Sequence, residues 1–486
     1  MLGTMTSYAR SISIEMKTIL VACCVGVFIM PLMSTMMNLA LEGIGHSFGV
    51  GPADLALVNT TFIIGSVVAM VPLARASDII GRKKVFIIGI IVTAICSVIA
   101  AFSPTFFTLL AMRFGMGVGS ATIELASIAM LTEVFPLERR GWAIGMQVTC
   151  VYAGIALGPV FGGTITEFIG WRAIFFFVLP LALISLTFIS KFKRDLISHK
   201  GASMDYRGAL LFSAAIMITM MGVINLPPLL SGETGPSSLL APVLVIIGAI
   251  MAVYFVRSTK RSESPVLDFN LFKYKVFLRS CIAAFMNYAS SFSVSFFLAL
   301  YLQSIGALTP MQAGLVISIQ PAIQVLLTLR SGSKSDNIKD KRILPTAGMI
   351  LTSLGVLMIM FFGITINLWL VCGALVVLGI GYGIFSAPNT NTIMSSVPPK
   401  NRGAASGMVA LVRQLGMITS MTVAMCAISL LIGSVNTPIT PETPELFGSF
   451  ISVLQLAFGI CFAMCIVGTI ASWFRGKNPE GISEFQ

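Results

Sequence analysis

The sequence predicts an all-α protein that crosses a membrane many times. Of its 486 residues 56% are hydrophobic and only 10% are charged. A soluble domain carries about 25% charged residues, so this chain has too few charges to cover itself in water. Apolar runs of about 20 residues, the length that a membrane helix needs, recur along the whole chain. Lipid offers the backbone no hydrogen-bond partners, and these runs are therefore expected to be helices.

Fourteen apolar runs define the predicted membrane helices. They lie at roughly 18–41, 54–74, 84–102, 105–132, 142–168, 172–190, 208–228, 238–256, 277–304, 311–330, 343–364, 366–392, 403–432 and 448–473. The first run is too long for the apolar core of a signal peptide and is not followed by a small-residue cleavage site. It is predicted to be the first membrane helix.

The basic residues fall almost entirely on one side of this arrangement. The chain has 31 Lys and Arg against 19 Asp and Glu, a net charge of +12. On the predicted map 28 of the 31 lie in connections or helix ends on the side of the two termini, and the exceptions are Arg113, Arg172 and Arg413. Membrane proteins place such basic excess in the cytoplasm. We therefore expect both termini to be cytoplasmic, and the charge requires no nucleic-acid partner.

The chain also contains an internal repeat. Arg140–Met146 and Arg402–Met408 both read R-G-x-A-x-G-M, and they lie 262 residues apart. A second pair, Ser-Asp78 and Ser-Asp336 with basic residues after each, lies 258 residues apart. The repeat predicts a six-helix bundle at 1–190, two accessory helices with cytoplasmic linkers at 191–276 and a second six-helix bundle at 277–486. Transporters built from repeats bind substrate near the membrane midplane between them.

The connection after the second run carries a charged motif. Residues 74–83 read A-R-A-S-D-I-I-G-R-K, which resembles the G-x-x-x-D-R-x-G-R-K loop of the major facilitator superfamily. The resemblance implies a gating loop that stabilises one alternating-access state, formed by Asp78, Gly81, Arg82 and Lys83. Ala74 and Ile79 depart from the pattern. The alternative interpretation is a turn that merely carries cytoplasmic charge.

Two further motifs lie inside predicted helices. Arg113–Gly117 resembles the family's R-x-x-Q-G, with Met116 in place of the glutamine. An arginine within a membrane helix is functional by default, although it could also extend to the membrane surface. The fifth run matches the antiporter motif G-x-x-x-G-P-x-x-G-G at Gly154, Gly158, Pro159, Gly162 and Gly163. Small residues let helices approach closely, and a kinked packing helix is the alternative.

Together these motifs resemble the fourteen-helix drug:proton antiporters, the branch of the superfamily that includes multidrug and quaternary-ammonium exporters. Trp171-Arg172 and Arg413-Gln-Leu-Gly416 are further matches. The resemblance implies the major facilitator fold, with two six-helix bundles and two inserted helices. The lack of a long hydrophilic tail or insert is typical of a prokaryotic plasma-membrane protein, and this location is expected. In the first helix Met33 stands where that branch has an aspartate, and Glu42 stands in place of the closing proline. The proton carrier must then lie elsewhere, or transport is uncoupled.

Glu124 is the acidic residue deepest within a predicted helix. It follows Arg113 by eleven residues, about three turns, so the two are expected on one face about 16 Å apart. Glu124 and Arg113 are thus predicted to couple transport to protons, with a structural glutamate as the alternative. The predicted substrate cavity is lined by Met33, Asn38, Gly117, Ser120 and Arg413.

The predicted function is proton-coupled export of lipophilic compounds, cations among them, by a monomer. The alternatives are a metabolite, lipid or osmolyte carrier, an uncoupled facilitator, or a non-transporting membrane sensor of the same fold. No G-x-x-x-x-G-K-[ST] loop is present to suggest ATP use. The nine cysteines form no C-x-x-C pair, and no nucleophile–base set appears. We expect neither enzymatic activity nor a metal or cofactor.

Overall fold

A computed structural model describes residues 13–192, 206–230, 235–259, 269–335, 340–398, 401–433 and 443–476. Regular structure within these ranges is helical throughout. The fourteen principal helices are α1 Ile14–Phe48, α2 Pro52–Ile80, α3 Arg82–Ala101, α4 Phe106–Val134, α5 Leu137–Phe168, α6 Ala173–Phe176 with Val178–Lys191, α7 Tyr206–Leu230, α8 Pro236–Thr259, α9 Lys275–Leu300, α10 Pro310–Ile317 with Ile319–Ser335, α11 Ile343–Ile359, α12 Leu368–Ser395, α13 Arg402–Ile432 and α14 Phe447–Trp473.

Thirteen of these helices are long and apolar enough to cross a membrane. The fourteenth, α11, is a shorter apolar helix of 17 residues. At 1.5 Å per residue it is about 26 Å long, slightly less than the hydrocarbon core, and the turn at Met360 and Phe361 continues it. The predicted all-helical membrane fold with fourteen helices is therefore confirmed.

Polar residues begin several of the helices, as their backbone requires. The first amide groups of a helix have no partner within it, and a side-chain oxygen just before the helix can accept from one of them. The Ser13 hydroxyl accepts from Met16 at the start of α1, and Thr105 accepts from Thr108 at the start of α4. Asn367 caps α12 in the same way. These caps let each helix begin where the apolar run begins.

The outer surface of the molecule carries large apolar side chains. On α3 Ile88 and Ile95 are 52% and 54% exposed, and on α8 Ile246 and Ile250 are 59% and 63% exposed. Water would penalise such a surface, whereas lipid tails are as apolar as these side chains. The exposed faces of α3 and α8 therefore contact lipid.

Helix packing repeats with an interval of eight helices. Helix α1 packs against α5 and α6, as α9 packs against α13 and α14. Helix α4 packs against α2 and α3, as α12 packs against α10 and α11. Helices α7 and α8 pack together, and α7 also touches α2 and α13. The packing follows the sequence repeat, while the boundaries at 190 and 277 stay a prediction.

The first bundle, α1–α6, meets the second, α9–α14, mainly where α1 packs against α9, α2 against α13 and α5 against α10. A shift of eight helices takes α2 to α10 and α5 to α13, so the α2–α13 and α5–α10 interfaces are equivalent to each other. The basic side of the molecule is defined here as the side of Lys17, Arg82, Arg140 and Arg475, and the opposite side as that of the α1–α2, α5–α6 and α9–α10 connections.

Candidate functional site

The turn between α2 and α3 depends on a glycine of the predicted gating loop. Gly81 has φ 110°, a backbone conformation that glycine adopts readily and other residues rarely do. It joins the end of α2 to the start of α3 without intervening residues. The Asp78 side chain lies outside the described part of the structure, as does the whole of Asp336.

The bases of the same loop bind the ends of neighbouring helices. Arg82 Nη1 lies 2.6 Å from Glu133 Oε2, near the end of α4. Lys83 Nζ donates to the carbonyl oxygen of Phe192, just past α6, at 2.5 Å. The loop therefore ties together three helix ends of the first bundle on the basic side.

The glycines of the antiporter motif make room for neighbouring backbones. A Cβ atom added at Gly154 would lie 2.9 Å from the carbonyl oxygen of Phe28, and one at Gly162 would lie 2.6 Å from Met36 Cα, both on α1. Gly163 instead faces the backbone of Pro310 on α10. The motif therefore places α5 against α1 within its bundle and against α10 across the interface.

The remaining motif positions make the same two contacts. Gly158 packs against Leu32 and Thr35 of α1, and the carbonyl of Pro159 packs against Gly314 of α10. Because these glycines have no side chains, the backbone of α5 directly contacts α1 of its own bundle and α10 of the other bundle.

Arg113 is fully buried, and its polar contacts lie on α2. Its Nε donates to the carbonyl oxygen of Val58 at 3.0 Å, and its Nη2 donates to Asn59 Oδ1 at 3.4 Å. The guanidinium carbon lies 4.6 Å from the centre of the Phe62 ring. Asn59 in turn donates to Asn38 Oδ1 of α1 at 2.8 Å. Arg113 therefore fastens α4 to α2 and, through two asparagines, to α1.

The other residues predicted to line the cavity lie in packed surroundings. Met33 is 1% exposed within the core. Gly117 packs against Ser66 of α2. Ser120 is buried, and its hydroxyl has no hydrogen-bond partner among the described residues. Their role in binding substrate stays a prediction.

Glu124 forms an ion pair with Arg413 across the two bundles. Arg413 Nη2 of α13 lies 2.5 Å from Glu124 Oε1 of α4, with side chains 28% and 16% exposed. Glu124 precedes the end of α4 by ten residues, about 15 Å, which places the pair near the middle of the membrane. The second carboxylate oxygen, Glu124 Oε2, is buried and has no hydrogen-bond partner in the described ranges.

Sequence reasoning selected both residues of this pair but did not join them. It placed Arg413 in the substrate cavity and grouped Glu124 with Arg113, because the two share a face of α4. In the structure Arg113 contacts α2, whereas Glu124 reaches α13. A joint role of Arg113 and Glu124 in proton coupling stays a prediction.

Further polar contacts between the bundles involve residues that sequence reasoning missed. Gln414 Nε2 donates to Ser66 Oγ at 3.2 Å, joining α13 to α2. The hydroxyls of Tyr152 and Ser386 lie 3.3 Å apart, joining α5 to α12. Half-buried Tyr288 of α9 is near enough to interact electrostatically with Arg413 and Glu124. Only Gln414 carried a sequence signal, since it follows Arg413 in a recognised motif.

The second bundle is tied together on the basic side by Arg475, just past α14. It is 1% exposed, and its Nη1 donates to Asn389 Oδ1 at 2.6 Å and to Ser280 Oγ at 3.2 Å. Its Nη2 donates to the carbonyl oxygen of Lys341 at 2.9 Å. Burial lowers the pKa of Arg475 to about 10, because the charged form loses hydration. Arg475 therefore links α9, α12 and α14 to the start of α11.

Comparison with characterised proteins gives transporters of several substrates. The riboflavin transporter RibZ of Clostridioides difficile is 27% identical, covering 96% of this chain and 99% of its own length. The multidrug resistance protein Stp of Mycobacterium tuberculosis is 26% identical over 82% of this chain and 73% of its own. The multidrug efflux pump LfrA of Mycolicibacterium smegmatis is 25% identical, with coverages of 79% and 75%.

Solved structures share the fold at lower identity. A bacterial homologue of the human lysosomal transporter Spinster, in an inward-facing and unoccupied conformation, superposes with a TM-score of 0.69 at 16% identity, covering 96% of this chain and 97% of that one. A D-xylose–proton symporter gives 0.68 at 13% identity, covering 96% and 98%. A sequence model of the Major Facilitator Superfamily matches residues 23–421 and 280–485. The chain is thus a membrane transporter rather than an enzyme, and it belongs to the Major Facilitator Superfamily of secondary transporters.

Proposed function

We propose that the chain exports lipophilic compounds, cations among them, in exchange for protons, and that Glu124 is the proton carrier. The observation that supports this function is the ion pair between Glu124 and Arg413. It lies between the two bundles whose relative movement gives alternating access, and it includes the one carboxylate that sequence reasoning placed deep in a membrane helix.

The pair offers a physical route to coupling. Separating two partly buried charges leaves each without its partner, which is costly in a low-dielectric interior. A proton on Glu124 removes the carboxylate charge, so α4 and α13 can separate without leaving a buried anion. Glu124 Oε2, which has no partner among the described residues, is the oxygen that accepts the proton. Protonation and the Arg413 contact then alternate during transport.

A cationic substrate uses the same carboxylate in this scheme. The proton, Arg413 and the cation each neutralise Glu124, so binding of one weakens binding of the others. Drug export is favoured by the multidrug relatives and by the antiporter motif. Arg113 is proposed to hold α4 in position for this exchange, and the Gly81–Lys83 loop to stabilise one of the two access states. The Met33, Asn38, Gly117 and Ser120 positions are proposed to border the substrate path.

The proposed orientation follows from the charge bias. The basic side faces the cytoplasm, with both termini there, because basic connections are retained on that side. The relatives are bacterial, which favours the plasma membrane. The transport unit is proposed to be the single chain, since both bundles that enclose the Glu124–Arg413 pair belong to it.

A second candidate is transport of a planar metabolite such as a flavin. The relative RibZ is named a riboflavin transporter and matches over 99% of its length. Tyr152 and Tyr288 near the interface provide aromatic faces on which such a ring could stack, and the Arg413 guanidinium provides hydrogen-bond donors. This candidate uses the same site with a different ligand.

The test is flux in proteoliposomes under an imposed pH gradient, with a fluorescent lipophilic cation and riboflavin as separate substrates. Wild type is compared with Glu124→Gln and with Glu445→Gln, which changes an exposed acid in the short helical turn that precedes α14. We expect gradient-driven cation flux in wild type and Glu445→Gln, and its loss in Glu124→Gln. Gradient-driven flux that survives in Glu124→Gln contradicts the proposed role of Glu124. Riboflavin flux without cation flux selects the second candidate, and flux independent of the gradient indicates a facilitator.

A further inference from the structure

The α5–α10 interface ends on the opposite side with a contact between the two bundles. Glu167, next to the end of α5, accepts a hydrogen bond through Oε2 from the backbone amide of Met311 at 3.0 Å. Met311 is the second residue of α10. A side chain of the first bundle therefore binds the backbone of the second.

This contact completes the amino-terminal turn of α10. Pro310 has no amide hydrogen to donate. The amide of Gln312 donates to Thr309 Oγ1 at 3.3 Å, and that of Ala313 donates to the Thr309 carbonyl oxygen at 2.9 Å. The amide of Met311 binds Glu167 instead. A negative charge at the start of a helix is favoured by the helix dipole, so the carboxylate is well matched to this position.

The packing beneath this contact is close. Gly163 faces the backbone of Pro310, and the carbonyl of Pro159 faces Gly314. Separation of the bundles on the opposite side therefore requires the bond between Glu167 and Met311 to break, because the two helices meet there without an intervening layer of side chains.

The equivalent interface lacks a carboxylate at this position. The repeat offset of 262 residues places Ser429 of α13 where α5 has Glu167. A serine hydroxyl carries no charge and cannot reach as far as a glutamate. The residue at the equivalent position of α13 is thus uncharged, and the carboxylate of Glu167 does not follow from the repeat.

We propose that Glu167 is a positioning residue that holds α5 and α10 together on the opposite side and sets the balance between the two access states. Its carboxylate stabilises the state in which that side is closed, and it must release Met311 when that side opens. The proposal concerns the conformational equilibrium only, and it does not depend on which substrate is carried or on Glu124.

The test is hydrogen–deuterium exchange of the full chain in lipid nanodiscs, read from a peptide that contains the Met311 amide. Wild type is compared with Glu167→Ala, which removes the acceptor, and Glu167→Gln, which keeps an oxygen but removes the charge. A typical hydrogen bond contributes about 1 kcal/mol, which corresponds to roughly a fivefold change in an equilibrium. We expect exchange to increase by roughly threefold to tenfold in Glu167→Ala and by less in Glu167→Gln.

Glu445→Gln is the matched control, because Glu445 is also an exposed acid at the start of a helix on the opposite side. Hydrogen–deuterium exchange of the Met311 amide in Glu445→Gln should equal that in wild type. Exchange in Glu167→Ala equal to wild type would overturn the proposal, and so would an equal increase in Glu445→Gln. Glu167 is exposed, so neither substitution removes core packing.

Discussion

Glu124 of α4 and Arg413 of α13 form an ion pair of 2.5 Å that joins the two bundles near the middle of the membrane. Both side chains are largely shielded, with Glu124 16% and Arg413 28% exposed. Each charge is therefore partly removed from water and depends on the other for compensation. Any movement that separates α4 from α13 must neutralise or rehydrate both groups.

The first prediction concerns the coupling between these two residues. Glu124→Gln and Arg413→Gln should each destabilise the protein, because each leaves one partly buried charge unpaired. The double variant should be less destabilised than the sum of the two, with an interaction energy of roughly 1–3 kcal/mol. Apparent Tm values in detergent or nanodiscs measure this double-mutant cycle. Additive effects of the two substitutions would show that the charges do not interact.

The second prediction separates two glycines of α5. Gly162→Ala places a methyl group 2.6 Å from Met36 Cα, a backbone atom that cannot move without shifting α1. We expect a loss of about 1–3 kcal/mol, the usual cost of overpacking, together with reduced transport. Gly145→Ala on the same helix meets no atom within 4 Å, and it should be neutral or stabilising by about 1 kcal/mol because alanine favours helix. Thermal unfolding and flux of the two variants check this, and equal behaviour would contradict the close packing of α1 on α5.

Much of the fold could be predicted from sequence because the membrane restricts the possibilities. Long apolar runs must become helices, and the one-sided placement of bases indicates which helix ends lie on the same side of the membrane. The antiporter glycines also revealed their packing role through their spacing, as Gly162 illustrates. Partners between distant helices could not be predicted in this way. The Glu124–Arg413 pair joins residues 289 positions apart, and Glu167 belongs to no motif that sequence reasoning recognised.

Burial of single charges was also beyond sequence reasoning. Arg475 follows the last membrane helix, where a basic residue is expected to be solvated and to mark the cytoplasmic side. In the structure it is 1% exposed and bound to three acceptors. The difference arises because Asn389, Ser280 and the Lys341 carbonyl come from separate helices and connections, which only the folded bundle brings together.

The third prediction concerns Gly81 in the predicted gating loop. Alanine at φ 110° would be strained, at a cost of roughly 1–3 kcal/mol. Gly81→Ala should therefore lower the apparent Tm and displace Arg82 and Lys83 from their contacts on α4 and past α6. Gly407→Ala is the control, because Gly407 lies inside α13 with no atom near its added methyl group. If Gly81→Ala matched Gly407→Ala in apparent Tm, the backbone of this turn would differ from the one described.

The fourth prediction concerns Arg475. Arg475→Ala leaves Asn389 Oδ1, Ser280 Oγ and the Lys341 carbonyl oxygen without their buried donor, and each unsatisfied group costs about 1–3 kcal/mol. Arg475→Lys should recover only part of this stability, because one ammonium group cannot replace the planar fork that reaches all three. Arg257→Ala removes an exposed base from α8, and its effect should stay within about 0.5 kcal/mol.

Apparent Tm values of the three variants give the order that we expect, with Arg475→Ala lowest, Arg475→Lys intermediate and Arg257→Ala close to wild type. Equal values for Arg475→Ala and Arg257→Ala would show that the Arg475 contacts do not hold the second bundle together.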